Sequence, residues 1–276
     1  MILVGVVVVK SSKNVMEEPA KEPLTTVEEL ERDSISMQYM CRFMFKALDS
    51  NPVLAEHGCN FTGRLRIAFG YVDRASFLSG LESQDKLQSR LYEIYNYRRP
   101  YLHKKSPEAM VLPEKTIAIM ISLLDINDGN EVLVVNSGFG LTSALLAYIV
   151  GSNGSVITTE SNPEVKKRGD SNLRSFLEAL QPEVQAQFSE IFSYLNTQDD
   201  LNFLQDETFD RIFISSMIKM DQVPSILRKL SLGGVMVALV KSKKYSAKDY
   251  GSVYVFKKDL NGNLRGRRTI EYDLTH

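Results

Sequence analysis

The residues whose types and spacing best suit chemistry are two turn glycines and a carboxylate about 20 residues beyond them. Gly138 and Gly140 follow the apolar run Val132 to Val135, and Glu160 ends the next apolar stretch. Turn glycines let backbone approach a ligand closely, and a carboxylate at a strand end can accept hydrogen bonds from a ribose diol. The spacing predicts a nucleotide-type cofactor site, with an ordinary β-α-β unit that has a tight turn as the alternative.

The elements that must position these residues follow the order strand, turn, helix, turn, strand. After the glycines, Leu141, Leu145 and Tyr148 recur at helical spacing, and an Asn153-Gly154 turn leads into the second strand. This is the periodicity of an amphipathic or buried helix between two buried strands. A strand-end carboxylate such as Glu160 is expected to face the cleft and to contribute little to stability.

The same alternation continues towards the C-terminal end. Asn162 and Pro163 predict a helix that runs to about Leu180, because asparagine caps helices and proline fits their first turn. The later predicted elements are a short strand and turn at Gln187 to Leu195, a strand at Phe209 to Ser215, a helix at Val223 to Leu230, a strand at Val235 to Val240 after Gly233-Gly234, and two strands at Val253 to Lys258 and Thr269 to Asp273 around an Asn261-Gly262 hairpin turn. Repeated β-α units with a closing antiparallel hairpin predict an α/β three-layer sandwich.

The N-terminal part of the sequence is organised differently. Residues 1–26 are predicted to be a flexible lead-in, residues 27–109 a mainly helical region, and residues 110–276 the α/β domain. Phe61 to Gly70 is expected to form a loop or short strand. Pro113 to Leu124 is expected to form a helix with one apolar face.

Composition excludes several classes of protein. The chain has 276 residues, 43 % hydrophobic residues and a formal net charge of −1, which is typical of a soluble globular protein. No apolar run approaches the ~20 residues that a membrane span needs, so no membrane association is expected. Cys41 and Cys59, with three scattered histidines, form neither a redox nor a zinc pattern, so no metal site is predicted. Two thiols suit a reducing compartment, which favours a cytoplasmic location.

Four passages in order along the chain carry a resemblance to a known family. They are Met110-Val111-Leu112-Pro113, the strand and turn from Val132 to Ala144, Phe209-Asp210-Arg211-Ile212, and Val223-Pro224 followed by Leu232-Gly233-Gly234. Their order and spacing resemble those of the protein-L-isoaspartate O-methyltransferases, which are class I S-adenosylmethionine-dependent methyltransferases. The resemblance covers roughly residues 70 to 276 and implies a Rossmann-like fold with a mostly parallel sheet and a C-terminal antiparallel hairpin.

The resemblance implies an S-adenosylmethionine cofactor and a carboxylate on a protein or peptide as methyl acceptor. Glu160 would hold the ribose hydroxyls, and Glu190 would contact the adenine amine. Val111 and Pro113 would border the acceptor. The methionine end of the cofactor would lie near Asn136, Ser137, Gly138 and Gly140.

Four positions depart from the family pattern. Val134 stands where an acid is usual, Asn136 where a glycine is usual, and Phe139 where a small residue is commoner. Val111 stands where the family has a serine or threonine that engages the substrate carboxylate. A valine can neither donate nor accept that hydrogen bond.

These departures leave two alternatives to the enzyme open. The first is a catalytically inactive, methyltransferase-like module that binds a protein partner. The second is an RNA-directed methyltransferase that uses a basic stretch between Lys241 and Arg268, although a solvated hairpin explains the same charges. That stretch carries nine basic residues, Lys241, Lys243, Lys244, Lys248, Lys257, Lys258, Arg265, Arg267 and Arg268.

Overall fold

A computed structural model describes residues 48, 51–56, 63–78, 101–103, 106–180, 192–196, 201–241 and 250–273. The lead-in at 1–26, most of the predicted helical region, both cysteines and Glu190 lie outside the described residues. The division into a lead-in, a helical region and an α/β domain therefore stays a prediction.

The described residues contain seven α-helices and nine β-strands. The helices are α1 (Pro52–Glu56), α2 (Gly63–Tyr71), α3 (Arg74–Leu78), α4 (Glu114–Leu124), α5 (Leu141–Val150), α6 (Pro163–Glu178) and α7 (Val223–Leu227). The strands are β1 (Tyr101–His103), β2 (Ser106–Val111), β3 (Glu131–Val135), β4 (Ser155–Glu160), β5 (Phe192–Asn196), β6 (Phe209–Ile218), β7 (Leu230–Lys241), β8 (Tyr250–Lys258) and β9 (Leu264–Asp273).

Seven of these strands form one sheet in the order β5-β4-β3-β6-β7-β8-β9. The five strands from β5 to β7 are parallel, whereas β8 and β9 pair antiparallel and form the C-terminal hairpin. β1 and β2 form a separate two-stranded antiparallel sheet. The predicted mostly parallel sheet with a closing hairpin is confirmed.

The central strand β3 shows that the sheet is covered on both faces. Val132 and Val134 pack in one hydrophobic cluster with α4 and α5, whereas Leu133 and Val135 pack in a second cluster with α7. Successive side chains of a strand point to opposite faces, so the two clusters are the two helix–sheet layers. The three-layer α/β sandwich is therefore confirmed.

The prediction of a loop or short strand at Phe61 to Gly70 is wrong, because this segment contains the helix α2. Its buried residues Leu65, Ala68 and Phe69 recur at the three- and four-residue spacing of a helix face. The helix packs against α5, where the ring centroids of Tyr71 and Tyr148 lie 5.4 Å apart. Gly63 and Gly70 have low helix propensity, but burial against α5 outweighs it.

The region around Gly233-Gly234 also differs from its prediction. The helix α7 ends at Leu227, and β7 starts at Leu230, before the two glycines. Gly233 has a φ of 76°, and the pairing of β7 with β6 shifts register across these residues. The glycines therefore form an irregularity inside β7 and do not form the turn that precedes it.

The helix start at Asn162 and the hairpin turn at Gly262 are confirmed. Asn162 Oδ1 accepts hydrogen bonds from the backbone N–H groups of Glu164 at 3.0 Å and Val165 at 3.1 Å. Gly262 has a φ of 81° in the turn between β8 and β9. Both elements follow from local side-chain chemistry.

The amino ends of three neighbouring strands meet at Asp210. Its Oδ2 accepts hydrogen bonds from the backbone N–H of Glu131 at 3.0 Å and from Asn130 Nδ2 at 3.3 Å. Its Oδ1 accepts one from Ser231 Oγ at 3.2 Å. One carboxylate thus joins β3, β6 and β7 at the edge of the sheet away from the turn that holds Gly138.

Within the described ranges, no helix is long and apolar enough to cross a membrane.

Candidate functional site

The site lies at the carboxyl ends of β3 and β4, where the chain turns into α5. Asn136, Gly138 and Gly140 have positive φ values of 54°, 62° and 95°. The turn is held to β4 by a hydrogen bond from the backbone N–H of Ser137 to the carbonyl oxygen of Thr159, at 3.0 Å. The carboxyl edge of an open α/β sheet is where such folds bind ligands.

The two turn glycines are needed for different reasons. A Cβ atom at Gly140 would lie 2.9 Å from Leu173 Cγ of α6, so this glycine permits close packing at the start of α5. At Gly138, nothing lies within 4 Å of the position that a Cβ would take. A ligand can therefore approach the backbone at Gly138 closely, as the sequence predicts.

Glu160 is brought to the turn, as its spacing from the glycines indicates. Its Oε2 accepts a hydrogen bond from the backbone N–H of Gly138 at 2.9 Å, and its Oε1 accepts one from that of Asn162 at 2.9 Å. The side chain is 6 % exposed. Its carboxylate links the turn to the start of α6, so we expect the loss of Glu160 to lower stability; the sequence-based expectation of little effect stays a prediction to be tested.

Asn136 and Ser137 are held by contacts across the turn. Asn136 Nδ2 donates a hydrogen bond to Ser216 Oγ of β6 at 2.8 Å, so its side chain reaches from β3 to the neighbouring strand. Ser137 is buried and lines the cleft described below. Asparagine tolerates the left-handed backbone conformation found at Asn136 better than most residues.

The other two departures in the turn have distinct surroundings. The side chain of Val134 is fully buried in the core cluster that contains α5. The carbonyl oxygen of Phe139 accepts a hydrogen bond from Asn172 Nδ2 at 3.0 Å, and the same amide nitrogen donates to the carbonyl oxygen of Phe77 at 2.9 Å. Asn172 thus joins α3 to the turn. The sequence offered no signal for this role, because an asparagine in mid-helix is common on a solvated face.

A cleft of about 360 Å³, part of it open to solvent, lies beside the turn. Its walls come from α3, the start of α4, the turn before α5, and the end of β6. The lining residues are Phe77, Leu78, Leu112, Ile117, Ser137, Phe139, Leu141, Thr142 and Ser215. Six of the nine are large and apolar, and the three polar residues are Ser137, Thr142 and Ser215.

Ser215 is the unusual polar group of this cleft. Its side chain is 6 % exposed, and its Oγ has no hydrogen-bond partner among the described residues. A buried hydroxyl without a partner costs about 1–3 kcal/mol, so such groups are rare and call for an explanation. Sequence analysis missed Ser215, because it sits at the end of a predicted buried strand.

A buried carboxyl group lies behind the same walls. Glu114, the first residue of α4, is 6 % exposed, and burial raises its pKa to about 7. The charge of Arg74 on α3 opposes that increase in pKa, and the charge of Asp73 adds to it. The helices that carry Ile117 and Phe77 into the cleft also carry this acid and this arginine. A glutamate after a proline is typical of an exposed helix start, so the sequence pattern does not indicate that Glu114 is buried.

The predicted acceptor edge is only partly described. Val111 ends β2, whose backbone packs near β6 and pairs with β1. Leu112 and Pro113 are buried, and Pro113 is the N-cap residue of α4 with a φ of −56°. Residues all around α4 are buried, in contrast to the single apolar face that was predicted. The position of Leu112 in the cleft brings the acceptor edge next to Ser137 and Ser215.

The described basic residues near the C-terminal end differ in their surroundings. Lys258 is 9 % exposed, and its Nζ pairs with Glu207 and donates a hydrogen bond to the carbonyl oxygen of Leu230 at 3.0 Å. Arg267 forms an ion pair with Glu56 of α1. Lys257 and Arg265 are exposed on the hairpin. Lys258 is therefore buried within the fold, whereas the ion pair of Arg267 lies on the surface.

The family model for protein-L-isoaspartate(D-aspartate) O-methyltransferases matches residues 52–271. That range includes the turn, Glu160, the cleft and the C-terminal hairpin. It covers well over half of the chain.

Curated relatives share the same description. The chain is 31 % identical over 149 residues to a protein-L-isoaspartate O-methyltransferase of Methanococcoides burtonii, in a match that covers 54 % of this chain and 64 % of that relative. It is 27 % identical over 214 residues to protein-L-isoaspartate O-methyltransferase 2 of Archaeoglobus fulgidus, with 67 % of this chain and 87 % of that relative covered. The first of these matches thus spans less than two thirds of the relative.

Solved structures support the fold. One protein-L-isoaspartate O-methyltransferase superposes with a TM-score of 0.57 at 16 % identity, covering 84 % of this chain and 63 % of the other. A second, from Plasmodium falciparum in complex with S-adenosyl-L-homocysteine, gives a TM-score of 0.54 at 16 % identity and covers 80 % and 91 %. Because the family model matches well over half of the chain, the chain belongs to the protein-L-isoaspartate(D-aspartate) O-methyltransferase family.

Proposed function

We propose that the chain is an S-adenosylmethionine-dependent methyltransferase that methylates a carboxylate on a protein or peptide. The observation that carries this proposal is the hydrogen bond between the backbone N–H of Gly138 and Glu160, beside space that no atom fills. It joins the two residues that the family resemblance assigns to the methionine end and to the ribose of the cofactor. Membership of the family supports the same reaction.

The residues of the turn fit the proposed cofactor. The N-cap Gly140 provides no side-chain cap for α5, so the backbone N–H groups of the first turn and the positive end of the helix dipole suit the carboxylate of a methionine moiety. Glu160 accepts two backbone hydrogen bonds, and a carboxylate can accept about four, which is compatible with further bonds from ribose hydroxyls. When bound, the cofactor supplies a methyl group on a positively charged sulfur.

The cleft fits an acceptor that needs no general base. A carboxyl group titrates near ~4 in water, so it is already ionised at neutral pH and its oxygen is ready to attack. The large apolar residues of the cleft, such as Leu112 and Ile117, would remove water from that oxygen and hold it in line. Positioning is then the main task of this chain's own residues.

Calorimetry with S-adenosylmethionine and S-adenosylhomocysteine tests the cofactor. We expect a dissociation constant in the micromolar range, equivalent to about −8 kcal/mol. Methyl transfer to an isoaspartyl peptide, compared with the same peptide carrying normal aspartate, then tests the acceptor. Absence of binding heat and of thermal shift at millimolar cofactor would contradict the enzyme.

A protein-binding module without cofactor is the second candidate. It is favoured by the fully buried Val134, which leaves no acid at that point of the turn, and by the absence of a hydroxyl on Val111. Such a module would bind neither S-adenosylmethionine nor S-adenosylhomocysteine.

Action on RNA is less well supported, because Lys258 and Arg267 are engaged in ion pairs. The cytoplasmic location stays a prediction.

A further inference from the structure

We propose that Ser215 positions the acceptor carboxylate, in place of the hydroxyl that the sequence lacks at position 111. This inference rests on the proposed function, since it names the group that holds the substrate of that reaction. The case depends on the burial of Ser215, on the irregular strand that carries it, and on the residues with which it shares the cleft.

The burial of Ser215 leaves its hydroxyl dependent on a ligand. The side chain is 6 % exposed and lines the cleft, yet its Oγ has no partner among the described residues. Ser216, the next residue, has its hydroxyl bonded to Asn136 at 2.8 Å. Of two adjacent serines, Ser216 therefore serves the scaffold, whereas Ser215 lines the cleft with a buried hydroxyl that has no partner among the described residues.

The strand is irregular at the position of Ser215. Ile214 pairs with Ala238 of β7, and the next pair is Met217 with Leu239, so Ser215 and Ser216 are extra residues on β6. Bulges of this kind redirect side chains and occur next to active sites. A regular strand would place Ser215 by simple alternation, whereas the bulge lets it line the cleft while Ser216 reaches the turn.

The cleft brings Ser215 together with both sides of the proposed reaction. Ser137 and Thr142 come from the turn and helix proposed to hold the cofactor, and Leu112 directly follows Val111 at the acceptor edge. A hydroxyl at this point can donate a hydrogen bond to one oxygen of a bound carboxylate. The other oxygen is then left to react.

The methyl-transfer step balances without an acid, a base or any further reactant. The second carboxylate oxygen uses a lone pair to form a bond to the methyl carbon, the bond from that carbon to sulfur breaks, and its electron pair stays on the sulfur. The carboxylate becomes a neutral methyl ester, and no proton moves. Ser215 keeps its own proton throughout, because its role is to orient the acceptor.

The test compares Ser215→Ala with the wild-type chain, with Ser122→Ala as the matched control. Ser122 is also a buried serine, but its hydroxyl donates to the carbonyl oxygen of Ala118 inside α4 and does not line the cleft. The measurements are the affinity for S-adenosylmethionine, the affinity for an isoaspartyl peptide in the presence of S-adenosylhomocysteine, the kcat/KM of methyl transfer, and the midpoint of unfolding.

We expect Ser215→Ala to lower peptide affinity and kcat/KM by about 10-fold to 100-fold, the range for one hydrogen bond to a charged group. Affinity for S-adenosylmethionine and the midpoint of unfolding should stay near their wild-type values. Ser122→Ala should leave peptide affinity and kcat/KM within about twofold.

Three results would overturn this assignment, and they point to different errors. If Ser215→Ala binds and methylates the peptide as well as wild type does, Ser215 has no role in positioning and the proposed function stands. If it loses affinity for S-adenosylmethionine as strongly as for the peptide, Ser215 belongs to the cofactor site. If wild type itself binds neither compound, the proposed function fails first.

Discussion

The turn beside the cleft, together with Glu160, forms a matched wall whose polar groups are paired, whereas the opposite, unmatched wall carries Ser215 without a partner among the described residues. Glu160 accepts hydrogen bonds from the backbone of Gly138 and Asn162, and the whole turn is thereby fixed. Across the cleft, Ser215 has no hydrogen-bond partner in the part of the chain that the structure describes, and Glu114 is buried with its pKa raised to about 7. The two walls thus differ in whether their polar groups have hydrogen-bond partners.

The difference follows from where each wall gets its partners. Gly138 and Asn162 lie 22 and 2 residues from Glu160 along the chain, within one β-α-β unit. The opposite wall is assembled from α3, α4 and β6, which are far apart in sequence. A preorganised wall suits a common cofactor, whereas unmatched groups suit a ligand that supplies the missing partner.

The strongest test of the matched wall is Gly140→Ala. We expect a loss of about 3–5 kcal/mol in the free energy of unfolding, from a positive φ of 95° and from a Cβ 2.9 Å from Leu173 Cγ. Gly138→Ala is the control, since its φ is 62° but no atom lies within 4 Å, and it should lose only about 1–2 kcal/mol. Urea unfolding measures both. Equal losses would show that packing on α6 contributes nothing.

The next largest effect concerns Glu114 on the unmatched wall and depends on pH. Its folded pKa of about 7 exceeds the ordinary value of 4.5, so between these values the folded chain holds a proton that the unfolded chain has released. The contribution of Glu114 to the free energy of unfolding should therefore fall as pH rises through this window, by about 3 kcal/mol in all.

Glu114→Gln should abolish this dependence of the free energy of unfolding on pH. The difference in unfolding free energy between wild type and this variant, measured by urea unfolding at pH 4.5 and at pH 8, should change by about 3 kcal/mol in favour of the variant. Parallel profiles for the two proteins would mean that Arg74 keeps the carboxylate ionised in the folded state, and the contrast between the walls would weaken.

Glu160→Ala should have a smaller effect, of about 2 kcal/mol, because two backbone N–H groups lose their acceptor. Glu160→Gln, which keeps one carbonyl oxygen, should lose less. The thermal unfolding midpoint and the calorimetric affinity for S-adenosylmethionine should fall together in Glu160→Ala. Weakened binding with an unchanged midpoint would show that the carboxylate serves the ligand alone.

The smallest effect separates the two buried serines. Ser122→Ala removes a satisfied hydrogen bond within α4 and should lower the free energy of unfolding by about 1 kcal/mol. Ser215→Ala removes an unsatisfied group and should leave it unchanged or slightly raised. Chemical unfolding of the ligand-free proteins decides between these outcomes, and a clear loss of stability in Ser215→Ala would place an unseen partner on that wall.

The matched wall is also the one that the sequence predicts. Gly138, Gly140 and Glu160 were found by spacing alone, and the cap at Asn162 by side-chain type, because their partners lie within one β-α-β unit. Ser215 could not be found, since the bulge that directs it depends on pairing with β7.

Errors in the prediction have the same origin. The helix at Gly63–Tyr71 was missed because its stability comes from packing against α5, and two glycines in the segment favoured a loop. The link that Asn172 makes between Phe77 and Phe139 spans 95 and 33 residues. Sequence patterns report neighbours along the chain, and these contacts join segments that only the complete fold brings together.

The hydrogen bonds of Asp210 bear on the order in which parts of the chain fold during synthesis. Its bond to the backbone of Glu131 joins residues 79 positions apart, so it forms only after the chain between them has been synthesised and has collapsed. The unit from Glu131 to Glu160 can fold before the later chain is synthesised, because its two strands pair with each other directly. During synthesis, which proceeds from the N-terminus, we expect the cofactor side to take shape first. The hydrogen bonds of Asp210 would then form late, and their formation would fix β6 and the cleft in their final positions.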